Sequence, residues 1–311
     1  LWAPCTVFAR ACHLSCSSAK RKLWTAINGT ATATQFLLTG PNSEVRLSGT
    51  AGLMAPNPLD LQLKATGDAS LVSAFTDKVR ARGAMVIEAG VSGTAKDPRL
   101  GGFLSLQDAN VSVEDPTLSA ESLNLRVNFE GDRATIAELN GELNGGPISG
   151  SGSLRYADGR LQDTNLKLQA SDLYMNVPDG LKTLSNVNLT VTNQQSDLLI
   201  GGEVLVEEGG FTKNLDVNIG ALASGSGGTI SFTEEKNPML DRIQFNIGVR
   251  TLNPIIIDNN LAQAEVEADL RLLGTPYATG LTGTVTIVEG GEIRLQERRY
   301  VVERGVVTLI G

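Results

Sequence analysis

Cys5, Cys12, His13 and Cys16 are the residues best suited to metal ligation or nucleophilic attack, and all four fall in the first sixteen positions of the 311-residue chain. Their spacing lacks the paired C-x₂-C knuckle of a zinc site. The remaining residues contain no histidine and no cysteine. A Ser-His-Asp or Cys-His nucleophile needs a histidine in the folded body, so those chemistries are excluded there. Asp and Glu are numerous but alternate with apolar residues, as on a solvated strand face, and no D-x-[DN]-x-[DN]-G calcium loop occurs. Two Gly-rich stretches, 144–152 (NGGPISGSG) and 224–228 (SGSGG), could cradle a phosphate only if a helix came next. The residues after each read as strands, so both are expected to be turns or loops. The chemistry-bearing residues thus predict no enzyme, no metal and no cofactor.

The net charge of −8, with no basic block, makes nucleic acid an unsuitable partner. No apolar run reaches the roughly 18 residues of a membrane-spanning helix. A body without Cys fits an oxidising compartment such as a periplasm. Residues 1–34 differ in composition from the rest of the chain and lack its alternation. They are expected to be a leader or linker, either non-native or a disordered native segment.

From about residue 35 the hydrophobic period is two, which puts successive side chains on opposite faces of a strand. Leu59, Leu61 and Leu63 alternate with Asp60 and Gln62. Leu123, Leu125, Val127 and Phe129 alternate with Asn124, Arg126 and Asn128. The same rule holds for Leu166 and Leu168, for Val187 and Leu189, for Leu215, Val217 and Ile219, and for Ile243, Phe245 and Ile247. It continues through Val266 and Leu270 and through Val285 and Ile287. Turn signals at Asn140-Gly141, Asp158-Gly159, Asp179-Gly180 and Gly209-Gly210 separate the runs. Roughly twenty strands of typical length are expected. Two short helices are predicted, one over Ser70–Arg82, with Leu71, Ala74, Phe75 and Val79 at helical spacing, and one around Gly180–Leu184. An internal repeat is also visible: 202–210 (GEVLVEEGG) aligns with 283–291 (GTVTIVEGG), and Gly93-Thr94 with Leu100 and Gly102 matches Gly274-Thr275 with Leu281 and Gly283. The residues alone leave two readings open, a buried sandwich or solenoid core and an open apolar groove.

The run Leu59-Asp60-Leu61-Gln62-Leu63, the segment 70–82, Gly93-Thr94 with Pro98-Leu100-Gly102, the repeat at 283–291 and the strand Tyr300 to Val307 resemble, in that order, the C-terminal half of the TamB family within the AsmA-like superfamily. The resemblance covers about residues 35–311. It implies an all-β fold, an elongated U-shaped twisted sheet (a β-taco) with an apolar trough. It implies a periplasmic bridge anchored in the inner membrane of a diderm bacterium, whose end meets an outer-membrane barrel of the Omp85 class, TamA or a relative. The missing anchor and the stop at Gly311 read as those of an internal fragment lacking that partner-binding terminus.

The alternating apolar residues then become the expected contacts of phospholipid acyl chains, and the implied activity is lipid conduction between membranes in outer-membrane biogenesis. A chaperone-like scaffold for outer-membrane β-barrel insertion or autotransporter secretion is the alternative. A surface solenoid is a third reading, less suited to the long, irregular repeat spacing.

Overall fold

The computed structural model describes residues 15–16, 25–27, 29–40, 42–70, 78–114, 117–157, 160–177, 179–194, 197–214, 242–295 and 298–311. These form twenty β-strands and no α-helix. The fold is all-β, as the period of two requires. The predicted contacts Leu215, Val217 and Ile219, the Gly-rich stretch 224–228 and the Asp158-Gly159 turn lie outside the described residues.

The chain divides into two compact units: Leu1–Glu142 with Ser149–Leu166, and Leu143–Ile148 with Lys167–Gly311. The first holds β1 (Ser15–Cys16), β2 (Thr25–Ile27), β3 (Thr30–Gly40), β4 (Ser43–Gly52), β5 (Pro58–Asp68), β6 (Val79–Thr94), β7 (Pro98–Val113) and β8 (Leu118–Gly131), with most of β9 (Arg133–Leu143) and β10 (Gly146–Ala157). From β3 to β8 each strand pairs antiparallel with the next. Short turns permit only this antiparallel order.

The second unit holds most of β11 (Arg160–Asn176), then β12 (Leu181–Gln194), β13 (Asp197–Phe211), β14 (Ile243–Thr251), β15 (Ile255–Asp258), β16 (Ala262–Thr275), β17 (Ala278–Ile287), β18 (Glu292–Leu295), β19 (Arg298–Val301) and β20 (Gly305–Ile310). Here β13 pairs parallel with both β14 and β15, and those two pair antiparallel with β16. They therefore occupy one place in the ladder, split at Leu252-Asn253-Pro254, where proline cannot donate a ladder bond.

Both helix expectations fail where residues are described. Val79–Arg82 belongs to β6, and Ala81 pairs with Val111 rather than facing a helical turn; residues 71–77 lie outside the described residues. Leu181–Leu184 is the start of β12, paired with β13, and Gly180 at φ +96 is the last residue of the preceding turn. In both places cross-strand pairing of apolar residues outweighs weak local helix propensity.

Two of the expected turns are strand instead. Asn140-Gly141 lies inside β9 and Gly209-Gly210 inside β13. The β9–β10 turn is at Asn144 and Gly145, whose φ values of +46 and +85 match a type I′ hairpin turn. The internal repeat has a structural counterpart. Gly93 and Gly274 sit at φ +88 and +94, and the hydroxyls of Thr94 and Thr275 accept from the amides of Asp97 (3.1 Å) and Ala278 (3.2 Å).

Asp68 secures the join between β5 and β6. Its carboxylate accepts from the amides of Ser70 (2.8 Å) and Gly83 (3.0 Å), and Gly83 is the bulge residue at which the β6–β7 register shifts. Partial burial pushes this carboxyl up, but the Ser70 side chain, the Gly83 and Ser70 amides and the Arg82 charge together outweigh it and hold the group below its ordinary 3.8. A lowered folded-state value means the stabilisation is complete above 3.8 and is lost as pH falls through the folded value. Asp68→Asn is therefore expected to cost about 1 kcal/mol at neutral pH and to flatten the acid limb of stability below pH 4. Urea unfolding from pH 7 to pH 2 tests this, and an unchanged acid limb refutes the role given to Asp68.

Candidate functional site

Residues directly opposite each other in neighbouring strands share a face, so the ladder registers show which side chains lie together. In the first unit, Val45, Leu47 and Ala51 of β4 meet Ala65, Leu63 and Leu59 of β5. Leu61, Leu63 and Ala65 meet Val91, Ala89 and Ile87 of β6, and Ile87 and Met85 meet Leu104 and Leu106 of β7. Leu106, Leu104 and Gly102 then meet Leu125, Val127 and Phe129 of β8, with Leu123 opposite Ala109. Leu59, Leu61, Leu63, Leu123, Leu125, Val127 and Phe129 thus stand on one continuous apolar face.

The second unit repeats the arrangement. Val187 and Leu189 of β12 meet Val204 and Gly202 of β13, which meet Val249 and Ile247 of β14. Ile247 and Val249 meet Leu272 and Leu270 of β16, and Phe245, two residues before Ile247, shares the face. Val266, Ala268 and Leu270 meet Ile287, Val285 and Gly283 of β17. Ile243 joins the row through Leu198. Leu166 and Leu168 alternate with exposed Asn165, Lys167 and Gln169 in β11.

The opposite face of each unit is polar and ion-paired. Lys64 and Glu88 lie 3.5 Å apart, Arg80 and Glu114 2.7 Å, and Arg250 pairs with Glu203. Arg126 covers the ring of Phe103 at 4.2 Å, which accounts for an aromatic residue on the wet side. These pairs are exposed and stabilise little. Their main effect is to keep that face in water.

Depth of burial decides what the apolar faces can do. Leucines sealed in a sandwich core lose nearly all their accessible surface. Here Leu38 and Leu173 are the buried leucines among the described residues, and the other described leucines keep part of their surface. The buried apolar positions are few: Leu38, Ala65, Ala69, Ala81, Met85 and Ala109 in the first unit, and Ala170, Leu173, Val206, Ile247, Ile255 and Val266 in the second. Every other described candidate contact is only half-buried. The half-buried side chains keep part of their apolar surface accessible. Covering apolar surface of this kind is worth about 25 cal/mol per Å², without direction or strong selectivity.

Sequence reasoning missed part of each face. Met85 and Ile87 were hidden because β6 reads Ala84-Met85-Val86-Ile87, apolar on both sides. Gly49, Gly102, Gly202 and Gly283 break the apolar rows without changing the register. Leu104, Leu106, Val204 and Leu272 carried the alternation signal and could have been found by it. Among the described residues, no three His, Cys, Asp or Glu side chains cluster to hold a metal, and no helix is long and apolar enough to cross a membrane.

With this geometry in place, comparison with known proteins adds one positive finding. The family model described as the TamB C-terminal domain matches residues 137–311. No curated protein and no solved structure matches the chain.

Proposed function

Because the chain belongs to the TamB family, we propose that it is a segment of a periplasmic bridge that conducts phospholipids between the inner and outer membranes along an apolar groove. The family is that of the translocation and assembly module, a non-enzymatic envelope system of diderm bacteria with a role in outer-membrane biogenesis. The observation that carries the reading is the pair of continuous apolar faces on which Leu61, Leu63, Leu125, Leu189 and Leu270 are only half-buried. Acyl chains are the occupants that fit them. Each CH₂ leaving water contributes about 0.8 kcal/mol, the contact needs no polar group, and a uniform aliphatic surface lets a chain slide. The full-length protein is anchored in the inner membrane and meets an outer-membrane barrel of the Omp85 class.

Mass spectrometry of the chain purified without detergent is expected to find co-purifying phospholipid. Photo-crosslinking probes at Leu61 and Leu189 should capture it, and probes at Gln62 and Asn188, on the polar face, should not. Equal labelling from both faces, or no bound phospholipid, rejects conduction by these faces.

One feature favours a second reading. β20 pairs with β17, and Val306, Val307 and Ile310 are exposed. An exposed apolar strand can template the pairing of an unfolded outer-membrane strand. In that case probes along 305–310 capture nascent barrel proteins and probes at Leu61 and Leu189 stay empty.

A further inference from the structure

Gly67, Gly83 and Gly141 lie within strands at positive φ, and five further glycines recur there every three strands. Gly49 in β4, Gly102 in β7, Gly152 in β10, Gly202 in β13 and Gly283 in β17 have φ of +122, +112, +131, +130 and +125. Side chains rarely adopt such values. Gly202 and Gly283 show the reason for glycine most plainly. A Cβ on either would lie 2.1 or 2.2 Å from the carbonyl oxygen of Asn188 or Asp269 in the adjacent strand, well inside any real contact. The other three repeat this against the carbonyls of Asp60, Glu88 and Asn165, at 2.0 to 2.1 Å. The ladder nevertheless runs on unbroken, with Gly49 opposite Leu61, Gly202 opposite Leu189 and Gly283 opposite Leu270. No extra residue is inserted at the glycine in these pairings, although the β3–β4 register shifts beside Gly49. The backbone there is held at a positive φ that suits glycine alone, pressed against the neighbouring strand's carbonyl.

The interval is three strands. β14 and β15 share one place in the ladder, so β17 stands three along from β13, as β7 does from β4. The first four glycines are about 50 residues apart, and the longer step to Gly283 includes residues 215–241. The local sequences agree: Ser48-Gly49-Thr50-Ala51, Gly101-Gly102-Phe103-Leu104, Ser151-Gly152-Ser153-Leu154, Gly201-Gly202-Glu203-Val204 and Thr282-Gly283-Thr284-Val285 share small-Gly-x-apolar. Strand direction accounts for which neighbour blocks the Cβ. β4 and β7 run in opposite directions, and the blocking carbonyl belongs to the following strand at Gly49 and to the preceding strand at Gly102. β13 and β17 run in the same direction because β14 is parallel to β13, and both Gly202 and Gly283 are blocked from the preceding strand.

We infer that the sheet is assembled from a three-strand module of about 50 residues, each carrying one small-Gly-x-apolar glycine at positive φ against a neighbouring carbonyl. This glycine is a conformational device. It brings two backbones together where a side chain would hold them apart. In a modular array, stability is a sum of local terms and nearest-neighbour contacts, so damage stays local.

Gly102→Ala and Gly202→Ala, each in the whole chain, test this by thermal unfolding and amide hydrogen exchange. Each is expected to lower the first unfolding midpoint by about 5 °C or more. Protection should be lost in β6 to β8 for Gly102→Ala and in β12 to β14 for Gly202→Ala, and kept elsewhere. Gly101→Ala is the control, because a Cβ there meets nothing within 4 Å and its φ is ordinary. Unchanged protection in both variants overturns the role of the glycine. Loss spread over the whole chain, failure to fold, or an equal effect of Gly101→Ala overturns the modular reading.

Discussion

Lysine in place of Leu125 or Leu189 is expected to reduce bound phospholipid at least tenfold while leaving the strands paired. Both leucines lie on the apolar faces and are half-buried. A lysine there can carry its stem along the apolar surface and reach water with its ammonium, so the fold loses about 1 kcal/mol or less. An acyl chain seated over the same position has to dehydrate that ammonium, and an unpaired buried charge costs several kcal/mol. Since 1.4 kcal/mol is a factor of ten, even a partial penalty stops loading. Leu189 is the cleaner site, because its partner Gly202 has no side chain to be displaced. Lipid retention and fluorescent-phospholipid transfer measure the effect, and circular dichroism checks the fold. Variants that bind and transfer lipid like the parent sink the proposal that these faces conduct it. Gln62→Lys, on the polar face of β5, should change neither.

Aspartate at Val266 has the opposite expected outcome: it unfolds rather than blocks. Val266 is 8% exposed, sits opposite Ile255 in one neighbouring strand and Ile287 in the other, and clusters with Val206. A carboxylate there would lie among the apolar side chains of Val206, Ile255 and Ile287. Burying an unpaired charge belongs to the few changes that cost about 4 kcal/mol or more, a large fraction of what holds an ordinary domain folded. Val266→Ala removes only two methyl groups and is expected to cost about 2 kcal/mol. Urea unfolding should rank the parent above Val266→Ala and that above Val266→Asp, with the last near its midpoint without denaturant. If Val266→Asp unfolds at the parent's urea concentration, the cluster is not a packed core. The same chemical change thus acts on cargo at a half-buried position and on the fold at a buried one.

The faces were legible because each is written locally. Asp60, Gln62 and Lys64 between Leu59, Leu61, Leu63 and Ala65 need no distant residue to declare which side is wet. The helix expectation over Ser70–Arg82 failed at Val79–Arg82 for a related reason. Val79 and Ala81 fit helical spacing with Leu71, Ala74 and Phe75, yet they also fit a strand, and only Val111 and Val113 across the β6–β7 ladder decide between the two. Asn140-Gly141 misled in the same way. The dipeptide is a good turn former, but the ladder runs through it and turns at Asn144-Gly145 instead.

Residue order alone was enough to establish that the chain is all-β, that each strand has one apolar side, and that the body carries neither His nor Cys. These rest on side-chain type and a period of two, both properties of neighbours along the chain. Three further matters were settled only by the folded chain. Register put Met85, Leu104 and Leu272 on the same faces as the residues that alternation had marked. The parallel pairing of β13 with β14 set the direction of β17. Burial separated Val266 and Ile247 from the half-buried leucines around them. Each depends on which strand lies beside which and on what covers a face, and those contacts join residues tens of positions apart.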